Sequence, residues 1–436
     1  MTLKNMSISG KIFFGLFAGL VFGLILVFLA GLSESLREII NSYLVVGFSI
    51  AKTLFVNSLK MVVVPLVLIS LICGTCSLSD PSKLGALAGK SLILYLFTTA
   101  TAITLALTLA SMFDLSSGLS MAGNDFTAKT APPLTEVLGG LVPSNPVQAM
   151  SSGNMLQIIV FAILFGLAIS HAGEKGKSIA TFFGALNEVI LKLVTIIMNL
   201  APYGVFFIMS LVVYNTGLEA IANLAKYFAL VAGVLVIHML VTYPTILVIL
   251  TGLSPIILIK KLRPALLFAF STSSSAATLP VTMEVARKRL GVGKTTTSFT
   301  LPMGATINMD GTAIMQGVAT VFIAQLAGVD LTMSQYLTII MMATLASIGT
   351  AAVPSVGLVT LTMVLTQVNL PTEAIGMLLG VDRLLDMMRT AVNITGDTTV
   401  ATIVSKKEND LCVDTFNDPN AGLDFESGSP SKVTAN

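Results

Sequence analysis

Five polar residues near the end of the chain carry its most distinctive chemistry: Asp382, Asp386, Arg389, Asn393 and Asp397. They lie in an apolar segment, at offsets of 4, 7, 11 and 15 from Asp382. On a helix these offsets fall within a stripe roughly 80° wide. Each charge at bilayer depth costs at least ~2.5–3.5 kcal/mol. A helix with this many on one face must aim them at a polar partner, most simply a bound solute and ions. Arg389 offers a planar fork that pairs bidentately with a carboxylate. Asp386 and Asp397 can hold an ammonium or a metal cation, and Asn393 can donate to a carboxylate or lend its oxygen to a cation. Two blander readings stand beside this one. Asp386 and Arg389 can form an internal ion pair that only joins helices. Asp382 and Arg383, nearer the outer end, can be a solvated, snorkelling pair.

A second constellation is Gly304-Ala305-Thr306-Ile307-Asn308-Met309-Asp310-Gly311-Thr312, which interrupts an otherwise apolar helix over 295–325. Unwinding here would free carbonyls, and these with the Asp310 carboxylate are hard oxygen ligands suited to a small hard cation. The run Ser273-Ser274-Ser275 supplies hydroxyls and exposed backbone at a break. His171 and His238 are isolated and read as packing or interface residues. Cys73 and Cys76 form a C-x-x-C at the end of a span and read as small interior thiols. Asp310 and Asp397 could pair as in an intramembrane aspartyl protease, but the Gly-x-Gly-Asp motif of such enzymes is absent; the sequence reads Ile394-Thr395-Gly396-Asp397. The chain is therefore read as no enzyme, with no cofactor.

These residues need a scaffold, and composition says which kind. The 436 residues are 54% hydrophobic and only 11% charged, against roughly 25% charged in soluble domains; mean hydropathy is +0.90. This is an all-α polytopic membrane protein. A net charge of +2 gives no reason to expect nucleic acid. The apolar run 12–31 is too long for a signal-peptide core and reads as an uncleaved first span. Further apolar segments run over 43–72, 84–113, 155–171, 180–213 and 224–252. The positive-inside rule orients them: Lys4, Lys11, Lys83, Lys90, Lys175, Lys177, Lys260, Lys261 and Arg263 fall inside, and the basic-poor loops 32–42, 114–150 and 214–223 fall outside. Both termini are then cytoplasmic, in a plasma membrane of the bacterial inner-membrane type.

Two later segments are each split by a polar break. In 264–283 the break is Ser271 to Ser275; in 335–368 it is Ser347 to Gly357. If just one of them crossed, a basic cluster, either Arg287-Lys288-Arg289 with Lys294 or Lys406-Lys407, would lie outside. Eight transmembrane helices plus two re-entrant helical hairpins satisfy the charges. Broken backbone at membrane depth is tolerated where it lines a cavity. Each hairpin precedes a long helix, 295–325 or 371–405, so the two units form inverted repeats with the solute site where the breaks meet. The end, 408–436, rich in Asp, Asn, Pro, Ser and Gly, reads as a disordered cytoplasmic tail.

In order along nearly the whole chain, Ser273-Ser274-Ser275 with Thr278-Leu279-Pro280, Asn308-Met309-Asp310-Gly311-Thr312, Ser347-Ile348-Gly349-Thr350 with Val353-Pro354, and Asp386-Met387-Met388-Arg389-Thr390-Ala391-Val392-Asn393 with Gly396-Asp397 resemble the dicarboxylate/amino acid:cation symporter family. This is the family of the glutamate and aspartate transporters.

The resemblance implies a homotrimer with a glutamate-transporter-like elevator fold. Residues 1–79 (helices 1–2) and 151–220 (helices 4–5) would be static scaffold. Residues 80–150 (helix 3 and an outer loop) and 221–407 (helix 6, hairpin 1, helix 7, hairpin 2, helix 8) would form the mobile transport domain. It assigns the substrate's side-chain carboxylate to Arg389 and its amino group to Asp386. Asn393 and Thr312 with the serine tip would hold the rest, and Ser274, Ser275, Thr390, Val353 and Gly357 complete the substrate set. One sodium site resembles Gly304, Asn308, Asn393 and Asp397; a second Thr306, Ser347, Ile348 and Thr350; a third Tyr95, Thr98, Thr99, Asn308 and Asp310. Na⁺ is then the coupling ion, and aspartate or glutamate the substrate. Met388 beside the arginine, and Ser355-Val356-Gly357 at the second hairpin tip, depart from the family's pattern and bear on the choice among acidic substrates. An acid at Asp386 favours an amino acid over a C4-dicarboxylate. Neutral amino acids and proton coupling are the alternatives within the family.

Overall fold

The computed structural model describes residues 8–78, 85–115, 139–217, 219–348 and 356–422. Among them there is no strand, only an isolated antiparallel bridge between Val292 and Leu411. The helices are α1 (Ile8–Leu32), α2 (Glu34–Ile39), α3 (Val46–Met61), α4 (Val63–Leu78), α5 (Gly85–Ser111), α6 (Pro146–Ser152), α7 (Met155–His171), α8 (Gly173–Met198), α9 (Ala201–Thr216), α10 (Glu219–Ile237), α11 (Tyr243–Thr251), α12 (Pro255–Thr272), α13 (Ser275–Lys288), α14 (Lys294–Ile307), α15 (Asp310–Leu326), α16 (Met333–Ser347), α17 (Val356–Gln367), α18 (Ile375–Lys407) and α19 (Val413–Asn417). Among the described residues, five helical stretches are long and apolar enough to cross a bilayer: Gly10–Leu32, Glu34–Cys76, Leu87–Ser111, Gly173–Met198 and Ala222–Thr251. Phe17, Phe28, Leu54, Ile93 and Ile249 are exposed on such helices, where lipid would cover them.

Segment 180–213, read as one span, is two helices. The break falls at Asn199 and Leu200, and Pro202 sits in the first turn of α9, where its missing N–H costs nothing. The seam between α1 and α9 is made by Gly15, Gly19 and Gly23, one turn apart. A Cβ on Gly19 would sit 2.7 Å from the Phe206 carbonyl oxygen, and one on Gly23 2.8 Å from that of Ser210. Small residues at this spacing let backbones touch, which is how helices associate where lipid removes the hydrophobic drive. Rings of α3 and α9 close the same contact, Phe48 to Phe207 at 4.9 Å.

Around α18 the packing is different. α18 is buried along most of its length and receives α10, α12, α13, α14 and α15. Its first turns meet the α1–α9 pair, Gly376 against Ile208 and Gly380 against Leu16.

The first polar break lies between packed helices. The first hairpin starts at Pro255 rather than 264, with Pro264 inside α12. It turns at Ser273, whose φ of 51° is left-handed, and the Ser274 hydroxyl caps α13 by accepting from Ala277 N at 3.2 Å. The second hairpin is α16 and α17; its tip lies outside the described residues.

The helix read over 295–325 is broken at Asn308 and Met309, both with non-helical backbone. The tail expectation fails for 408–422. Phe416 is wholly buried with Leu258, Leu262, Val285 and Leu290. Lys261 Nζ donates to Arg289 O at 2.7 Å and Thr415 O at 2.6 Å. Composition missed this because a single aromatic and one buried lysine hold an otherwise polar strand of chain.

Candidate functional site

α18 buries all five residues of its polar stripe: Asp382, Asp386, Arg389, Asn393 and Asp397. A guanidinium that is only 1% exposed must be compensated. Arg389 Nη2 donates to Asp386 Oδ1 at 2.7 Å, and Arg389 Nη1 lies 2.8 Å from Asp382 Oδ1. The second approach is an ion pair, and among the described residues neither Nη1 nor Nε has a hydrogen-bond acceptor of good geometry. Arg389 thus has charge partners but keeps unused donors. Asp382 is not a solvated outer residue. It is 4% exposed and faces Arg389, while Arg383 turns to Asp386 Oδ2 at 3.2 Å. The offset of seven puts Asp382 two turns before Arg389, within reach of a long side chain.

The helix break brings neighbours to this stripe. A Cβ built on Gly357, at the start of α17, would lie 3.4 Å from Arg389 Nη1 and 3.2 Å from Thr312 Cγ2. Gly357, Thr312 and Arg389 therefore border one space. Gly311 lies against the backbone of Arg389, too close for any side chain. Its N–H donates to Asn393 Oδ1 at 2.8 Å. Thr390 turns its hydroxyl to Asp386 O at 2.9 Å. Ser273, Ser274 and Ser275 are buried, on a hairpin whose second half packs on α18. Val353 lies outside the described residues.

Oxygens suited to a cation gather on the other side of the break. Asn308 Nδ2 donates to Asp397 Oδ1 at 2.9 Å and to Asn393 O at 3.0 Å. Asn308 Oδ1 is buried and has no hydrogen-bond partner among the described residues. A Cβ on Gly304 would meet Asp397 Oδ1 and the Tyr95 hydroxyl, each at 2.6 Å. Gly304, Asn308, Asn393 and Asp397 are thus contiguous. Asp310 is wholly buried; its Oδ1 accepts from Thr99 Oγ1, and its Oδ2 from the Tyr243 hydroxyl at 2.8 Å. Tyr95 and Thr98 are buried in the same helix as Thr99, and Thr98 Oγ1 donates to Tyr95 O at 3.0 Å. The remaining set is not joined. Thr306 is exposed and bonds within its own turn to Met303 O, as Ser347 does to Thr344 O. Ile348 is buried beside Ser347, and Thr350 lies outside the described residues. Among the described residues no three His, Cys, Asp or Glu side chains cluster as a metal site would require. The donors are amides, hydroxyls and carbonyls with single carboxylates, a set for an alkali cation rather than a transition metal.

Two residues escaped the sequence reading. His238 is no mere packing residue: its Nε2 lies 3.2 Å from Asp310 Oδ2. Tyr243 shares that oxygen and presses on Gly396. A wholly buried carboxylate such as Asp310 needs donors from somewhere, but nothing in its local sequence says which distant helix supplies them.

An all-helical membrane protein whose best-buried polar groups surround a backbone break, rather than a nucleophile with its base, is built for solute transport. The chain belongs to the sodium:dicarboxylate symporter family, whose model matches residues 8–407. It is similar to the proton/sodium-glutamate symport protein of Geobacillus stearothermophilus, 33% identical over 416 residues covering 93% of this chain and 96% of that one. It is similar to the proton/glutamate-aspartate symporter of Escherichia coli K12, 33% identical over 427 residues, 93% and 94% of the two chains. With excitatory amino acid transporter 3 of Mus musculus it shares 35% identity over 420 residues, 83% and 80% of the two. The family consists of transporters, so the chain is not an enzyme.

Proposed function

We propose that this protein is a sodium-coupled symporter of aspartate or glutamate. The observation that carries the reading is Arg389: fully buried, flanked by two carboxylates, with unused donors beside Thr312 and Gly357. The substrate's side-chain carboxylate takes the guanidinium, and its ammonium takes Asp386. Asn393, Thr312, Thr390 and the tip around Ser274 and Ser275 hold the main-chain carboxylate, with Val353 and Gly357 forming the wall. Na⁺ is a co-substrate. Asn308 Oδ1, Asp397 and the carbonyls near Gly304 hold one ion; Asp310 with Tyr95, Thr98 and Thr99 holds another. The third set, Thr306, Ser347, Ile348 and Thr350, is completed when the second hairpin closes over substrate. Closure couples the two solutes because each ligand favours the shut form only by binding it better.

The same reading places eight crossings and two re-entrant hairpins in a homotrimer in the plasma membrane, with both termini cytoplasmic. Residues 1–79 and 151–220 are scaffold, and 80–150 with 221–407 move as an elevator. The family match supports a multi-helix membrane transporter, and the names of the relatives support glutamate or aspartate as the solute and sodium as a coupling ion. Those names also include protons, so proton coupling is the second reading. Uptake of labelled aspartate and glutamate into proteoliposomes tests both. Uptake should need a sodium gradient and should resist competition by succinate, serine and cystine. Uptake driven by a pH gradient alone, in sodium-free buffer, would establish the second reading; no uptake of either acid under any gradient would end both.

A further inference from the structure

A crevice of about 550 Å³ opens at the base of the first hairpin, between the end of α13 and the start of α14. It is remote from the polar stripe: the twelve steps from Ser275 to Arg287 span about 18 Å of helix. Its rim carries Arg287, Lys288 and Lys294 against a single carboxylate, Glu284. Lys288 Nζ reaches Glu284 Oε1 at 2.6 Å. Arg287 and Lys294 are exposed and form no ion pair among the described residues. The other nearby carboxylate, Asp410, lies against Gly293 and accepts from Thr296 Oγ1 at 2.9 Å rather than from Lys294. Among the described residues the rim is thus left with a surplus of positive charge.

Behind the rim the wall turns apolar, with Pro280, Met283 and Val292. Pro280 sits seven residues before Arg287, about 10 Å along the helix. Cations at one end and an apolar wall of that depth match an anionic amphiphile better than a small anion, which would use the rim alone.

We propose that this crevice seats an anionic phospholipid of the cytoplasmic leaflet, its phosphate among Arg287, Lys288 and Lys294 and its first acyl carbons along Pro280 and Met283. Basic pockets between helices on this side of a membrane bind acidic headgroups, each cation adding to the attraction. The side of the membrane is taken from the topology proposed above. The lipid would brace the hairpin from its base, at the opposite end from the serine tip.

Native mass spectrometry of the purified full chain tests this, with phosphatidylglycerol and phosphatidylcholine of equal chain length. Wild-type protein should retain phosphatidylglycerol at least about ten-fold more tightly. The double variant Arg287→Gln/Lys294→Gln should lose that preference, while a control pair of exposed lysines, Lys175→Gln/Lys177→Gln, keeps it. Equal retention of the two lipids by wild type, or a preference that survives in the double variant, overturns the proposal. So does displacement of phosphatidylglycerol by inorganic phosphate at equal concentration, which would leave a free-anion site. Both altered side chains are exposed, and a matching thermal unfolding curve shows that the variant folds. No substrate or sodium enters the assay, so its failure and a failure of the transport reading are told apart.

Discussion

Arg389 illustrates how a buried charge is held ready for exchange. Removing a guanidinium from water is costly, and two carboxylates offset that cost. Only one of them, Asp386, is aligned as a hydrogen bond. An incoming carboxylate can therefore win donors without first stripping the residue bare. Replacing the fork removes the reader for the substrate's side chain. Arg389→Cys is expected to abolish uptake of acidic substrates and to leave room for neutral ones; unchanged aspartate uptake in labelled-substrate assays refutes the arginine's role. Asp397 supplies the carboxylate beside Asn308 and Gly304. Asp397→Asn should shift the sodium dependence of transport to higher concentration by at least about ten-fold, since a charged ligand is lost from a buried cation site. A sodium titration matching wild type contradicts the assignment.

At the scale of elements, the chain beyond α18 ties the end of α13 to the middle of α12. Cys412 N donates to Gly291 O at 2.9 Å, Lys261 bridges Arg289 and Thr415, and Phe416 fills a site walled by α12 and α13. Truncating a fully buried aromatic to alanine costs about 3–5 kcal/mol. Phe416→Ala should loosen the hairpin base without touching the polar stripe. Limited trypsinolysis should then cut at Arg287, Lys288 or Arg289 markedly faster than in wild type. A cleavage rate that does not change would mean that the tail merely lies on the surface.

At the scale of the whole molecule, few ion pairs among the described residues join helices distant in sequence, and the pair of Lys60 and Glu373 is one of them. Lys60 ends α3, and Glu373 lies between α17 and α18; the two meet at 2.8 Å although 313 residues apart. Burial pushes the Glu373 carboxyl up, but hydrogen bonding and charge from Lys60 outweigh it and bring it below its ordinary value. A carboxyl lowered by folding contributes above its unfolded range, and that contribution fades as pH falls through the folded value. Both groups are partly exposed, so the effect is small, about 0–1 kcal/mol. If the proposed domains move past one another, Lys60→Glu and Glu373→Lys should each change the transport rate by no more than about five-fold, and the double exchange should restore it. Absence of rescue would show that the two charges act independently.

The chain's own pattern determined a great deal. Low charge and long apolar runs marked a membrane protein, because bilayer interiors admit little else. Interval alone placed Asp382 to Asp397 on one face, since helix geometry is local. Gly, Asn and Asp in the 304–312 run announced the break, because they weaken a helix from within. The Gly15, Gly19 and Gly23 series has a period of four, but that period does not name the helix it packs against. Which helix lies across a seam depends on contacts far apart in the chain, and no interval encodes them. For that reason only the tertiary structure brought His238 and Tyr243 to Asp310 and folded 408–422 onto the first hairpin. Each of these follows from one necessity: a charge or ring buried away from water takes whatever partner the packed helices bring within reach.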